Sequence, residues 1–299
     1  MSSSLHRLLA TLCTAAVLFA TGATLAPSPA QALAKVPCKP GVGIRQVDPI
    51  VARGSATSAH LHEFFGNKAL LNLAEPHNAT YDQLVGQATA CTHPGDSAAY
   101  WAPGLLVNGK LAPAGRFVAY YRSFDHKDIG AAQPFPADLR MVTAKYSWSC
   151  NESSTIVRQL TIPDCSTATG TTVRLTVHYT FPSCWDGKRG DHTTPGNTAD
   201  FAPSGVTNHL AFFTKSASGT SCPAGYPIKL PELLENVSWG DGTPGYWAGK
   251  QLRLTSDGPA DAPGATSHAD FLQSWEPAAL TTMVAHCINV APPSTGECG

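Results

Sequence analysis

The chain has 299 residues, 43% hydrophobic and 14% charged, with 26 Gly and 24 Pro, a turn-rich composition that excludes a coiled coil or a long helical bundle. Its 20 Lys+Arg against 21 Asp+Glu give a formal charge of -1, so it carries no electrostatic footprint for nucleic acid or an anionic membrane. The 6 Trp, 8 Tyr and 11 Phe, spread along the length, supply apolar area for a core and exclude intrinsic disorder.

Residues 1–34 form the first element. A weakly basic start with His6 and Arg7 leads into an apolar run from Leu8 to about Ala20, and then into a Pro-containing small-residue region. Two small-x-small sites end it, Ala30-Gln31-Ala32 and Ala32-Leu33-Ala34, the layout of a secretory signal peptide cleaved after one of them. A membrane anchor is the competing reading, but the run is shorter than the ~20 residues that span a bilayer and is broken by Thr and Gly. Leu12 before Cys13 argues against lipidation. Residues 35–299 are therefore read as a single secreted, extracellular domain without a membrane span. Losing Cys13 with the leader leaves an even set, Cys38, Cys91, Cys150, Cys165, Cys184, Cys222, Cys287 and Cys298, as expected of four disulfides. Connectivity is open, with the short separations favouring Cys150–Cys165 and Cys287–Cys298. No C-x-x-C occurs, which disfavours a thiolate zinc module.

Beyond the leader, short apolar runs alternate with turn signals. Strands are expected at Leu105–Val107, Phe117–Tyr121, Thr172–Tyr179, His209–Phe213 and Leu252–Leu254. The third of these puts Val173, Leu175, Val177 and Tyr179 on one face and Arg174, Thr176 and His178 on the other. Asn108-Gly109, Asp186-Gly187 and Asp257-Gly258 are the turn candidates. Short helices are expected near Ser58–Phe65, Pro231–Asn236 and Ala278–Cys287. The fold class that follows is mainly β: a single β-sandwich-like domain, disulfide-bonded, with long loops and a few short helices. The loops from Asp186 to Asn208 and from Trp239 to Trp247 have the length and composition of functional loops.

Chemistry concentrates in Ser58-Ala59-His60-Leu61-His62-Glu63-Phe64-Phe65-Gly66-Asn67. In extended backbone, residues i and i+2 project from one face about 6.5–7 Å apart, close enough for two imidazoles to converge on one metal ion or one anionic group. Ser267-His268-Ala269-Asp270-Phe271 repeats the device with a histidine and a carboxylate. Two imidazoles with one more imidazole or carboxylate and an open position is the usual first shell of a catalytic zinc or related metal. His209 and Asp186 are the residues that can complete it. Two other readings of the same residues stand beside this one. Without a metal, His60 or His62 acts as general acid or base, oriented by Asp270, with Arg140 stabilising negative charge. In a structural role, a buried His-Asp hydrogen bond pins loops and Asp186 forms a turn.

Several templates are missing. There is no G-x-S-x-G elbow, no P-loop and no H-E-x-x-H helix, since Gly66 stands four positions after His62. Glycosidase carboxylate pairs can be drawn only from Asp186, Glu232, Glu235 and Asp270, in an order that spacing does not fix. The tryptophans are expected to be mostly core, with Trp185 the preferred residue for stacking on a ligand. Asn78, Asn151 and Asn236 head N-glycosylation sequons.

The ordered motifs Val47-Asp48-Pro49-Ile50-Val51, Ser58-Ala59-His60-Leu61-His62, Tyr100-Trp101-Ala102-Pro103, Pro134-Phe135-Pro136-Ala137-Asp138-Leu139-Arg140-Met141, Pro182-Ser183-Cys184-Trp185-Asp186-Gly187, His209-Leu210-Ala211 and His268-Ala269-Asp270-Phe271 resemble a secreted family of fungi and actinobacteria. That family is catalogued as domain of unknown function nineteen ninety-six, and the resemblance runs from about Val47 to Cys287. It implies a secreted, disulfide-bonded domain whose motif polar residues are His60, His62, Arg140, Asp186, His209, His268 and Asp270. It implies no reaction. Ser267 and Ala269 stand where the family often has glycine.

The functional expectation is a carbohydrate-active hydrolase or lyase acting on extracellular or cell-wall polysaccharide. His60, His62, Asp186 and Asp270 are its candidate catalytic residues, and Arg140 and Trp185 its candidate substrate contacts. His60, His62, His209 and His268 are the candidate ligands of a divalent metal ion. The alternative is a non-catalytic carbohydrate-binding or cell-surface interaction protein.

Overall fold

The computed structural model describes residues 33–123, 132–150, 159–170, 172–188, 209–216 and 219–290. In chain order the first strands are β1 (Leu33–Cys38), β2 (Gly43–Arg45), β3 (His62–Gly66), β4 (Ala99–Pro103), β5 (Leu105–Val107) and β6 (Lys110–Ala112). Next come β7 (Arg116–Arg122), β8 (Arg140–Thr143), β9 (Tyr146–Ser149), β10 (Val173–Thr180), β11 (Cys184–Trp185) and β12 (Leu210–Ala211). The last are β13 (Thr214–Ser216), β14 (Gly219–Ser221), β15 (Ile228–Lys229), β16 (Glu232–Gly242), β17 (Leu252–Leu254) and β18 (Ala269–Leu272).

Two five-stranded antiparallel sheets carry the fold, one in the order β1-β7-β16-β10-β9 and the other β2-β3-β4-β18-β8. Period-2 alternation dictates how they meet. From the first sheet Val36, Phe117, Ala119, Leu175, Val177 and Val237 turn inward; from the second Phe65, Tyr100, Met141 and Phe271 do, and all share one hydrophobic core. The opposite face of the second sheet is covered as well. Phe64, Trp101, Val142 and Leu272 pack there under Val47, Ile50, Leu70 and Leu84, which is why all five residues of β3 are buried. Small sheets β12-β11-β15, β13-β14 and β17-β5-β6 decorate this body. The β5–β6 hairpin turns on Asn108 and Gly109, both at positive φ, as the Asn-Gly signal requires.

The mainly β expectation holds, and the strands at Leu105–Val107 and Leu252–Leu254 fall where the alternation put them. Two expected helices do not form. Residues His62–Gly66 are β3, because Phe64 and Phe65 have a core on each side of the sheet to enter. Glu232–Asn236, nearly all of the expected Pro231–Asn236 helix, opens β16, an 11-residue strand whose backbone is paired on both edges, by β7 and β10. The third is real: α1 (Pro277–Met283), with Pro at its first turn, runs on into a single π-turn over Val284–Ile288. The polar face of β10 is not solvent-exposed. His178 is held by Ser149 and Asn236, and Thr176 by Ser238.

Disulfides join Cys38 to Cys91, Cys150 to Cys165 and Cys184 to Cys222. Cys287 is also disulfide-bonded; Cys298, its expected partner, lies outside the described residues, as does most of the loop between Asp186 and Asn208. Among the described residues no helix is long and apolar enough to cross a membrane.

Candidate functional site

Strands β3 and β18 flank β4 in the second sheet. His62 pairs with Pro103 of β4, and Asp270 pairs with Trp101. Two residues before Asp270, His268 stands just ahead of β18, across β4 from His62. Strands one apart in this way are separated by about 9.5 Å, a gap two imidazoles can close. His60, two residues before His62, projects from the same face. The result is one cluster: His60 Nε2 lies 3.1 Å from His268 Nε2, and His62 Nε2 lies 3.3 Å from the same atom. All three ligand nitrogens fall within 4.8 Å of one another.

Backbone carbonyls fix which nitrogen carries the proton. His62 Nδ1 is 3.0 Å from the Val47 carbonyl oxygen and His268 Nδ1 is 2.9 Å from that of Thr266. A carbonyl oxygen only accepts, so each Nδ1 is the donor and each Nε2 keeps a bare lone pair. Two lone pairs therefore face each other at 3.3 Å, and one hydrogen bond from His60 satisfies only one of them. A cation at the common focus satisfies all three. Metal–nitrogen bonds of about 2.0–2.1 Å in a tetrahedron set neighbouring nitrogens about 3.3–3.4 Å apart, close to the spacing present. Burial, and then the neighbouring histidine, hold the His60 imidazole down at about 4 and His62 well below its ordinary value; burial also lowers His268. The neutral, metal-binding form is thus the ground state at neutral pH.

A cavity of about 900 Å³ opens onto the cluster, with His60, His268 and Asp48 in its wall. Asp48 accepts from the backbone N–H of Ile50 and Val51, both at 2.9 Å, and burial nevertheless raises its carboxyl to about 6. That value suits a group that exchanges protons near neutrality. Sequence reasoning quoted Asp48 in a motif but gave it no role, since nothing in the spacing ties it to His60 some twelve residues later. The Asp-Pro step that starts a loop was the one available signal.

The other candidates sit elsewhere. Asp270 is fully buried on the same sheet face, outside the group whose ligand atoms meet, and both its carboxylate oxygens lack a hydrogen-bond partner. Burial, then Asp48 and Glu235, raise its carboxyl well above the usual range. Arg140, 1% exposed, donates to the carbonyls of Pro49 and Ala79 and to Asp138. His209 Nε2 donates to the Arg140 carbonyl at 2.9 Å. Asp186 accepts from the Lys188 N–H in a turn, and Trp185 packs half-buried against the core. Of the carboxylates considered as a glycosidase pair, Glu232 pairs with Arg122 while Glu235 is interior and without a hydrogen-bond partner. None of the six tryptophans lines the cavity. The second group of potential ligands, Cys38, Cys91 and Asp96, offers no thiolate because its sulfurs are joined.

Among known proteins, no curated protein and no solved structure matches the chain. One family model does, and its span takes in β3 through β18 with all three histidines and Asp48. The match covers residues 48–275, and the chain belongs to the family described as Domain of unknown function (DUF1996).

Proposed function

We propose that the protein is an exported metal-dependent enzyme, a hydrolase or lyase, in which His60, His62 and His268 hold one divalent transition-metal ion at the end of the cavity. The observation that carries this reading is the convergence of three Nε2 atoms, two with lone pairs exposed by their Nδ1 hydrogen bonds to backbone carbonyls. Three protein nitrogens leave a position for water or substrate, as in catalytic rather than structural zinc sites. Bound there, a divalent ion supplies Lewis-acid polarisation and activates water at neutral pH. In hydrolysis Asp48 takes the proton that water loses as its oxygen joins the electrophilic carbon, and returns it to the leaving group as the old bond breaks. The backbone amides of Ile50 and Val51 orient that carboxyl. Export is supported by the leader and by the disulfides. Cleavage after Ala32 suits the fold better than after Ala34, because Leu33 and Ala34 pair with Arg122 and Tyr121 in β1; amino-terminal sequencing of exported protein should read Leu33 first.

The test is turnover on a panel of esters, amides and glycosides before and after chelation. Activity that chelator removes and metal restores, with kcat lowered about 10²–10⁴-fold in Asp48→Asn at unchanged metal content, is the expected result. Activity untouched by chelation overturns the metal reading. A metal-loaded protein inert on every substrate sinks the enzyme reading in favour of a binding role.

A further inference from the structure

The cavity beside the three histidines has a one-sided lining. Val51, Ala52, Val142, Ala144, Leu160 and Ala265 line it with hydrocarbon, and no lysine or arginine contributes among the described residues. Leu160, 68% exposed, is one of two large hydrophobic side chains left exposed among the described residues, and it stands in this wall. The hydroxyl groups here each already hold a hydrogen bond. Ser58 donates to the His60 carbonyl at 2.6 Å and Tyr146 to the Ala265 carbonyl at 2.7 Å. Thr266 donates to Asp257 at 2.7 Å, and Ser267 bonds the Tyr179 hydroxyl at 2.7 Å. A sugar ring entering this space would strip water from several hydroxyls and find few partners for them, at a cost of about 1–3 kcal/mol for each one left unpaired. An apolar body meets no such penalty and covers exposed hydrocarbon.

We infer that the cavity takes a substrate with an extended apolar body, aliphatic or aromatic, and a single polar group that reaches the histidine cluster and Asp48. A polyhydroxylated saccharide does not fit this lining. The inference rests on the metal reading for the position of the reacting group, and on the lining alone for the body. A volume of about 900 Å³ is within the range of small-molecule sites and accommodates a chain of eight or more carbons.

The experiment is calorimetric titration of the zinc-loaded full chain with n-alkyl hydroxamates, from acetohydroxamate to octanohydroxamate, beside cellohexaose and chitohexaose. Affinity should rise about fourfold per methylene until the cavity fills, with a negative heat-capacity change and no saccharide binding. Leu160→Asp and Ala144→Asp, both at exposed positions, should flatten the rise while leaving acetohydroxamate affinity unchanged. Affinity independent of tail length, or tight hexasaccharide binding, overturns the inference. If no hydroxamate binds because no zinc is held, n-alkanols of the same lengths are followed by NMR shift perturbation. A rise with chain length there upholds the apolar cavity although the metal reading has failed, and a flat response sinks both.

Discussion

His60, His62 and His268 on one side and Arg140 and His209 on the other are two polar groupings drawn from the same run of motifs, and in the folded chain they behave as opposites. Arg140 and His209 are donors that end on backbone acceptors, the carbonyls of Pro49, Ala79 and Arg140 itself. Such a network closes loops onto the sheet, and neither side chain is among the ligand atoms that meet at the histidine cluster. The three histidines spend their Nδ1 donors on the backbone where these are fixed and leave nitrogen lone pairs facing one another. Both groupings are polar motif residues; only in one do ring nitrogens converge on a single focus. Acceptors facing one another at one focus call for a cation, while donors to scattered backbone carbonyls hold a fold together.

That contrast can be broken by substitution. The largest effect is expected at Arg140. Arg140→Met strands two buried carbonyls, and denaturant unfolding should show a loss of about 3–5 kcal/mol, with metal stoichiometry retained in the protein that still folds. His268→Ala should do the reverse. Metal affinity should drop by more than the about 10–100-fold that loss of an outer-sphere partner costs, whereas metal-free stability should change by about 1 kcal/mol or less, since the lost hydrogen bond to Thr266 is offset by relief of the facing lone pairs. His209→Ala lies between them, at about 1–2 kcal/mol of stability for the buried hydrogen bond it gives the Arg140 carbonyl, with no change in metal binding. If His209→Ala abolished metal binding, or His268→Ala unfolded the chain, the division between the groupings would be wrong.

A smaller effect concerns pH. Burial raises the Asp96 carboxyl to about 7 against an ordinary 3.8, although Tyr100 and the Ala98 amide donate to it. The folded chain keeps a proton there that the unfolded chain has released, so this contribution to stability is full below about pH 4 and is lost as pH rises toward 7. Metal-free Asp96→Asn should therefore show a shallower decline of melting temperature from pH 5 to 7 than the parent. Parallel curves would contradict the assignment.

Much of the fold was legible because sheets are written in period 2. Val173, Leu175, Val177 and Tyr179 alternate, and they enter the core together. The two misplaced helices fail through partners distant in sequence: apolar runs such as Phe64-Phe65 and Leu233-Leu234 read alike in helix and strand, and a second covered face decides the first while pairing on both edges decides the second. At the site, the i, i+2 pairing placed His60 with His62 and His268 with Asp270 on common faces. What stayed hidden was the third dimension. That β4 separates β3 from β18, so that the rings meet across it, is a property of strand order. The same is true of Asp48, which reaches the cavity only because the loop beginning there folds back over the outer face of the sheet.

The central claim is that one cation belongs between three imidazoles. Elemental analysis of protein purified without added metal, then stripped and titrated with zinc, measures it directly. One tightly held equivalent per chain, absent from His60→Ala/His62→Ala of unchanged fold, is the predicted result; no bound ion in the parent, or the same stoichiometry in the double variant, would contradict it.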